Sequence, residues 1–278
     1  MLWGTYDTVI LDLDGVVYIG EHAVPHAIES LQAISDNVHL CAATNNASRT
    51  SITVSEHLQS LGLNIPEEDV ITSAQAGAQL MMSLVAPGSR ILAVGGDGVE
   101  AALVDCGFRV LRATQDDVAN HTIAQEVSGV MQGHGRSTSW WDLTAAMWAI
   151  SRGAQWVATN RDLTVPTPYG LGPGNGSLVS AIEAVVGISP HVAGKPSPTL
   201  FTETVSRLGA KRALVIGDRL DTDIDGALAA GLDSLLVLTG VHGRSDVLAR
   251  KPENRPTYVA EDLRCLLAPE PPALDVTE

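Results

Sequence analysis

Short apolar runs alternate with helical patterns along most of the chain. The runs are rich in Val, Ile and Leu and end at Gly, Asp or Asn, which is typical of buried strands. They lie at Thr8–Leu13, Val38–Ala43, Arg90–Val94, Gly129–Gln132, Gln155–Ala158, Ala213–Ile216 and Ser234–Leu238. The helical patterns lie at Ala27–Ile34, Thr50–Leu61, Ala74–Leu84, Ser139–Arg152, Ser177–Val186, Pro198–Leu208 and Asp223–Ala230. This alternation predicts an α/β fold with doubly wound parallel sheet covered by helices on both faces.

Two loop-rich breaks interrupt the pattern and suggest a domain boundary at each. One is Val85–Ser89, and the other is the Pro- and Gly-rich stretch from Thr164 to Gly176. The segment between them has strands and helices of its own, and we interpret Gly95–Gly98 within it as a turn. We therefore expect a catalytic core formed by residues 1–84 and 185–278, with an inserted α/β cap domain formed by residues 85–184.

Composition narrows the classes of partner. The chain is 45% hydrophobic, and 17 Lys+Arg against 32 Asp+Glu give a net charge of −15. This charge argues against nucleic acid or an anionic membrane as a partner. No apolar run approaches the ~18–20 residues of a membrane span, and the first residues lack the features of a secretory signal. Three scattered cysteines without a CxxC pair indicate the reducing cytoplasm.

Polar residues collect where the predicted strands end. In parallel sheets, ligands bind beyond the carboxyl ends of the strands, so these residues are the candidates for a site. They are Asp12 and Asp14 after the first strand, Thr44, Asn45 and Asn46 after the second, Asp218 and Asp223 after the strand at Ala213, and Lys195 just before a helix. A single strand-end Asp is more often a turn or cap residue, but the combination points to one crevice.

The chemistry that suits this set is phosphoryl transfer. A carboxylate that attacks a phosphate ester meets like charge, which Mg²⁺ on oxygen ligands such as Asp12 and Asp218 neutralises. Lys195 adds a positive charge, and Thr44 with the following amides can donate hydrogen bonds to phosphate oxygens. Asp12 would then attack to form an aspartyl phosphate. Asp14 would protonate the leaving alkoxide and afterwards activate water.

At these residues the chain resembles the haloacid dehalogenase superfamily of phosphatases. The matching motifs are Asp12–Gly15 (DLDG), Thr44, Lys195 and Gly217-Asp218 with Asp223. Their spacing is similar to that of the subfamily with a large α/β cap between the second and third motifs, which includes p-nitrophenyl phosphatases. The stretches TNNASR, TSAQ, PGNGS, AGKP and GDRLDTDI are further similar to bacterial glycerol-3-phosphate phosphatases.

The resemblance implies a role for each motif residue. Asp12 becomes nucleophile and metal ligand, Asp14 acid/base and metal ligand through its backbone carbonyl, and Asp218 the third protein ligand. Asp223 becomes an outer or water-mediated member of the metal site.

The resemblance also implies which residues contact the substrate. Those that hold phosphate are Thr44, Asn45, Asn46 and Lys195. In the cap, Asn160 and Asp162 become candidates for contact with the leaving group, although a purely structural role is equally compatible with their position.

Together these observations predict an Mg²⁺-dependent phosphatase that acts on a small phosphorylated metabolite. Glycerol 3-phosphate is the first choice, followed by 2-phosphoglycolate and other sugar or metabolite phosphates. A phosphotransferase remains an alternative, because the acceptor depends on cap geometry. A receiver-like phosphoacceptor is a second one, although receivers are much shorter and lack the acid two residues after the nucleophile. A homodimer through the cap is left open.

Overall fold

A computed structural model describes residues 4–120, 127–167 and 169–269 of the chain. Its strands are β1 (Thr8–Leu11), β2 (Tyr18–Ile19), β3 (His22–Ala23), β4 (His39–Thr44), β5 (Val70–Thr72), β6 (Arg90–Val94), β7 (Arg109–Leu111), β8 (Gly129–Gln132), β9 (Gln155–Ala158), β10 (Thr164–Thr167), β11 (Gly170–Pro173), β12 (His191–Val192), β13 (Ala213–Gly217), β14 (Asp233–Val237) and β15 (Tyr258–Ala260). Its helices are α1 (Ala27–Ile34), α2 (Ser51–Ser60), α3 (Ser73–Leu84), α4 (Asp97–Asp105), α5 (Gln115–Ala119), α6 (Trp140–Ser151), α7 (Asn175–Val186), α8 (Thr199–Leu208), α9 (Asp225–Ala229) and α10 (Arg244–Ala249).

The chain divides into two compact units. The first consists of Met1–Thr44, Ser51–Ile71 and Lys195–Glu278, and the second of Asn45–Thr50 and Thr72–Gly194. The main part of the second unit thus runs from Thr72 to Gly194, whereas the sequence predicted a cap from residue 85 to residue 184. Helix α3 packs on α4 and β9, and β12 pairs with β9, so both elements belong to the second unit.

The first unit is built on a six-stranded sheet in the order β15-β14-β13-β1-β4-β5. Strand β1 pairs in parallel with both β13 and β4, and β14 pairs in parallel with β13 and β15. All four residues of β1 are buried, as expected for a central strand covered on both faces. Because β1 lies between β13 and β4, the carboxyl ends of these three strands are neighbours at one edge of the sheet.

The second unit has a five-stranded parallel sheet in the order β12-β9-β8-β6-β7. Apolar side chains from β6, β8 and β9 fill clusters on its two faces, one with α6 and α7 and the other with α3 and α4. The predicted α/β class with parallel sheets is therefore confirmed. No helix in the described part of the chain is both long and apolar enough to cross a membrane.

Some local predictions differ from the structure. Strand β1 ends at Leu11 rather than Leu13, because the Leu13 carbonyl accepts hydrogen bonds from the amides of the next turn. The predicted turn Gly95–Gly98 extends into α4, which begins at Asp97 with Gly96 as its N-cap. The predicted loop from Thr164 contains the antiparallel hairpin β10–β11. The short strands β2, β3, β5, β7, β12 and β15 were missed as well.

Candidate active site

The ends of three adjacent strands place the first candidate residues. Leu11, the last residue of β1, is in register with Ile216 of β13 and Ala42 of β4. The Asp12 amide continues the ladder by donating to the Ile216 carbonyl at 2.8 Å. Asp12, Thr44 and Asp218 therefore follow or end neighbouring strands of one sheet. This is the edge at which parallel α/β sheets bind ligands.

Three acids of the first unit form a tight cluster with a buried lysine. Asp12, Asp218 and Asp223 each offer a carboxylate oxygen, and these oxygens lie within 4.8 Å of one another. Lys195 Nζ donates to Asp12 Oδ1 at 2.5 Å and to Asp223 Oδ1 at 2.7 Å. The side chains of Lys195 and Asp223 are only 2% and 1% exposed, and that of Asp12 is 12% exposed. We call these four residues the acid–lysine cluster.

Burial and mutual repulsion raise the pKa values of two acids in this cluster, Asp12 and Asp218. Burial raises the pKa of Asp12 well above its usual range, and Asp223 and Asp218 raise it further, while Lys195 opposes the shift. Burial and the neighbouring Asp223 also raise the pKa of Asp218 to about 6. Burial disfavours the Lys195 ammonium, but the carboxylates of Asp12 and Asp223 outweigh this effect and raise its pKa. The cluster thus holds more negative charge than one ammonium balances.

Asp218 leaves one carboxylate oxygen available to a cation. Its Oδ2 accepts the Val241 amide at 2.8 Å, whereas Oδ1 is buried and has no hydrogen-bond partner among the described residues. An ionised oxygen in that state is costly unless a cation binds it. Buried acids within mutual reach are also the ligands that a hard divalent cation selects. The residues present therefore fit a magnesium ion.

Asp223 has a different function in the cluster. Its Oδ1 accepts from Lys195, and its Oδ2 accepts the backbone amide of Arg219 at 3.0 Å. Both oxygens are thus engaged within the protein. This arrangement holds Lys195 in place beside Asp12.

The remaining predicted residues of the first unit are Thr44 and Asp14. Thr44 is buried at the end of β4. Asp14 is exposed and is not one of the three clustered acids. It begins a tight turn, because the next residue, Gly15, donates its amide to the Tyr18 carbonyl and has a positive φ of 87°.

The predicted residues of the second unit form a separate hydrogen-bonded group. Asn45 Nδ2 lies 3.3 Å from Asp162 Oδ2, and the Asn45 carbonyl accepts from Asn160 Nδ2 at 2.8 Å. Asn160 Oδ1 accepts the Asp162 amide at 3.1 Å. The structure thus brings Asn45, Asn160 and Asp162 together. Asn46 stands apart, since its Oδ1 caps the following turn by accepting from the amide and hydroxyl of Ser48.

Sequence reasoning missed the segment that holds Asp218. Thr239–His242 follows β14, the neighbour of β13, and supplies the Val241 amide described above. A backbone amide has no side-chain signature, so no motif marks it. The order of the strands offers an indirect signal: a strand placed beside β13 brings the loop that follows it close to Asp218.

Comparison with known proteins identifies the family. A sequence profile described as haloacid dehalogenase-like hydrolase matches residues 9–109, and a second, HAD-hydrolase-like profile matches residues 192–266. D-glycerol 3-phosphate phosphatase of Mycobacterium tuberculosis is 45% identical over 94% of this chain and 71% of its own length. The chain belongs to the haloacid dehalogenase-like hydrolases. The predicted family and the predicted class of enzyme, a phosphatase, are confirmed.

Other members of the family are similar to this chain over more than nine-tenths of its length. Dihydroxyacetone phosphatase of Corynebacterium glutamicum is 33% identical over 91% of this chain and 88% of its own length. The crystal structure of the Mycobacterium tuberculosis glycerol phosphate phosphatase in complex with magnesium matches with a TM-score of 0.87, at 44% identity over 94% of this chain and 77% of that one. The p-nitrophenyl phosphatase from Archaeoglobus fulgidus matches with a TM-score of 0.82, at 26% identity over 93% of this chain and 97% of that one.

Proposed function

We propose that the protein is an Mg²⁺-dependent phosphatase that hydrolyses small phosphate monoesters, with glycerol 3-phosphate as its preferred substrate. The observation that carries the proposal is the acid–lysine cluster, in which Lys195 contacts Asp12 while Asp218 retains an oxygen with no partner among the described residues. The choice of glycerol 3-phosphate is supported by the relative of that name, which is 45% identical. The relative named dihydroxyacetone phosphatase supports three-carbon phosphate esters more generally.

Asp12 and Asp218 are the side chains that would hold the magnesium ion, together with the backbone carbonyl of Asp14. Asp223 completes the metal site from outside by fixing Lys195, as its two engaged oxygens indicate. When bound, the cation neutralises carboxylate and phosphate charge, so that the two can approach each other.

Asp12 is the proposed nucleophile. One of its carboxylate oxygens attacks phosphorus, the bond from phosphorus to the ester oxygen breaks, and the phosphoryl group is transferred to Asp12. Lys195 holds Asp12 through Oδ1 and presents positive charge to the transferred group. This contact favours the ionised form of the carboxylate, which attack requires, against the opposing effect of burial.

Asp14 is the proposed acid and base. It donates a proton to the departing alkoxide in the first step, and its exposed position supports access to solvent. In the second step the resulting carboxylate takes a proton from water, which attacks the aspartyl phosphate. Phosphate leaves, and Asp12 is regenerated.

We assign substrate binding to Lys195 and to five residues outside the acid–lysine cluster. We propose that Thr44 and the directly following Asn45 and Asn46 hold phosphate oxygens, with Lys195. Asn160 and Asp162 are proposed for the glycerol part of the ester. Their hydrogen bonds to Asn45 support this assignment.

We also propose a cytoplasmic location. None of the three cysteines forms a disulfide, all three lie in the described ranges, and thiols in that state suit a reducing compartment. The homodimer through the cap stays a prediction, which analytical ultracentrifugation tests directly.

The proposed function is tested by phosphate release from a panel of esters. Initial rates are measured with glycerol 3-phosphate, dihydroxyacetone phosphate, 2-phosphoglycolate and p-nitrophenyl phosphate. We expect the highest kcat/KM for glycerol 3-phosphate, no turnover in EDTA and recovery on addition of Mg²⁺. A higher kcat/KM for another ester would overturn the substrate, and full activity in EDTA would overturn the metal mechanism.

A further inference from the structure

We propose that the segment Thr239–His242, which follows β14, positions the Asp218 carboxylate for its cation. This inference deepens the proposed function and rests on it, because it assumes that Asp218 is a metal ligand. It assigns a purpose to four residues that no catalytic motif contains.

Two backbone amides of the segment hold Asp218 at both ends of the residue. The Val241 amide donates to Asp218 Oδ2 at 2.8 Å, and the His242 amide donates to the Asp218 backbone carbonyl at 3.2 Å. The first bond fixes the rotation of the carboxylate, because it selects one oxygen. Within the described part of the chain the other oxygen, Oδ1, then has no partner and is oriented for the cation.

Gly240 allows the segment to approach this closely. A Cβ atom on Gly240 would lie 1.9 Å from Asp218 Oδ2 and 2.5 Å from its Cγ, which is far inside van der Waals contact. Any side chain at residue 240 must therefore displace either the carboxylate or the segment. Only glycine fits at residue 240 without such a displacement.

Gly15 encloses Asp218 from another direction. A Cβ on Gly15 would lie 2.6 Å from Asp218 Oδ2 and 3.3 Å from the Gly240 Cα. Thr239 connects the two elements, because its Oγ1 donates to the Gly15 carbonyl at 2.6 Å. The segment is thus tied to the turn that follows Asp12 and Asp14. The elements that supply the proposed ligands are joined through Thr239.

His242 makes a further connection to the loop that carries Asp218 and Asp223. Its Nδ1 accepts the Leu220 amide at 3.1 Å, so the hydrogen of the neutral ring is on Nε2. Outer residues of this kind commonly change metal affinity by 10–100-fold when they are removed. The contacts around Asp218 predict effects of that size.

The test measures Mg²⁺ affinity by isothermal titration calorimetry of the full-length protein, without substrate. We expect Gly240→Ala to raise the Mg²⁺ dissociation constant about 100-fold and Thr239→Val about 10-fold. Thr239→Ser keeps the hydroxyl and should restore nearly wild-type affinity. The unfolding temperature without Mg²⁺ is measured for each variant, because a merely structural role lowers it without changing the affinity of the folded protein.

Two control substitutions match these changes chemically. Thr202→Val removes an exposed hydroxyl that also donates to a backbone carbonyl, that of Thr199. Gly243→Ala adds a Cβ whose nearest neighbour is 3.8 Å away. Neither should change Mg²⁺ affinity.

The outcomes separate this inference from the function on which it rests. Weaker Mg²⁺ binding in Gly240→Ala and Thr239→Val, with rescue by serine, supports the positioning role. Wild-type affinity in both folded variants overturns it and leaves the proposed metal site intact. If the wild-type protein itself does not bind Mg²⁺, the metal site of the proposed function is overturned. Should a variant fail to fold, Thr239→Ser against Thr239→Val decides the matter, since the two differ by one hydrogen bond.

Discussion

The acid–lysine cluster of the first unit can be compared with two buried amide side chains of the second unit, Asn160 and Asn175, which we call the amide group. Both are buried polar regions, but they are stabilised in opposite ways. The cluster contains three carboxylates and one ammonium, so its charges do not balance. The amide group is fixed by neutral hydrogen bonds to backbone carbonyls. Asn175 Nδ2 donates to the carbonyls of Gln132 and Asn160 at 3.2 and 2.8 Å, and Asn160 donates to that of Asn45.

The difference in charge indicates a functional role for the acid–lysine cluster and a structural role for Asn175. Buried charge without a balancing partner is unfavourable for stability, and groups with strongly shifted pKa values collect at functional sites. Neutral amide groups cost less to bury and fix the backbone in one conformation. We therefore expect substitutions in the cluster to change activity, Mg²⁺ affinity and charge-dependent stability. Substitution of Asn175 in the amide group should lower stability without changing Mg²⁺ affinity.

The largest effect is expected for Asp12→Asn. An amide cannot attack phosphorus, so phosphate release from p-nitrophenyl phosphate in saturating Mg²⁺ should fall by about 10⁴-fold or more. Asp221→Asn is the matched control, because Asp221 is an exposed acid that pairs with Arg219 rather than with Lys195. Turnover by Asp12→Asn at more than a few per cent of the wild-type rate would exclude Asp12 as nucleophile.

The largest loss of stability is expected for Lys195→Met. The carboxylates of Asp12 and Asp223 would lose their shared ammonium, and breaking a buried pair costs about 3–5 kcal/mol. Urea denaturation at pH 8 without Mg²⁺ measures this change in the free energy of unfolding. Lys211→Met, at an exposed residue, should change it by less than about 0.5 kcal/mol. Equal values for the two variants would show that Lys195 does not balance the cluster.

A smaller loss is expected for Asn175→Ala in the amide group. The buried Asn160 carbonyl loses the Asn175 donor, and the Gln132 carbonyl keeps only the Thr159 amide, which should lower the free energy of unfolding by about 1–3 kcal/mol. Mg²⁺ affinity should stay unchanged, because the proposed ligands belong to the first unit. Asn120→Ala removes an exposed bond of the same type and should cost much less. A change in Mg²⁺ affinity for Asn175→Ala would contradict the separation between the two regions.

The sequence predicted the acid–lysine cluster more fully than the amide group, for a physical reason. Asp12, Lys195, Asp218 and Asp223 are charged residues at strand and helix ends, where a buried structural role would be costly. Strands β6, β8 and β9 were predicted with their observed bounds, because a strand covered on both faces is a continuous apolar run.

What could not be predicted depends on tertiary contacts. The Val241 amide and the close approach of Gly240 have no sequence signature, since backbone groups are the same at every residue. Gly95–Gly98 was interpreted as a turn from local preference, whereas packing of α4 on α3 continues it as a helix. The division into units also depends on packing, as the transfer of Asn45–Thr50 to the second unit illustrates.

The last expected effect is on how the free energy of unfolding depends on pH in the absence of metal, which should differ between the charged cluster and the neutral amide group. The pKa of Asp218 is raised to about 6 in the folded protein, from its usual 3.8. The folded state then binds more protons than the unfolded state between these pH values, so the free energy of unfolding falls as pH rises through that window. The fall attributable to Asp218 should be about 3 kcal/mol, and Asp12, whose pKa is also raised, extends the decline.

Subtracting the pH profile of Asp218→Asn from that of the wild type isolates this contribution, because the asparagine does not titrate. The difference is measured by urea denaturation from pH 4 to 8 in EDTA. Saturating Mg²⁺ should abolish most of it, since a bound cation favours the ionised carboxylate and lowers the pKa of Asp218. Asn175→Ala should shift the whole curve downward without changing its slope, because an amide binds no proton in this range. A wild-type curve parallel to that of Asp218→Asn would show that Asp218 is ionised without cost, and the contrast between the charged cluster and the neutral amide group would then be lost.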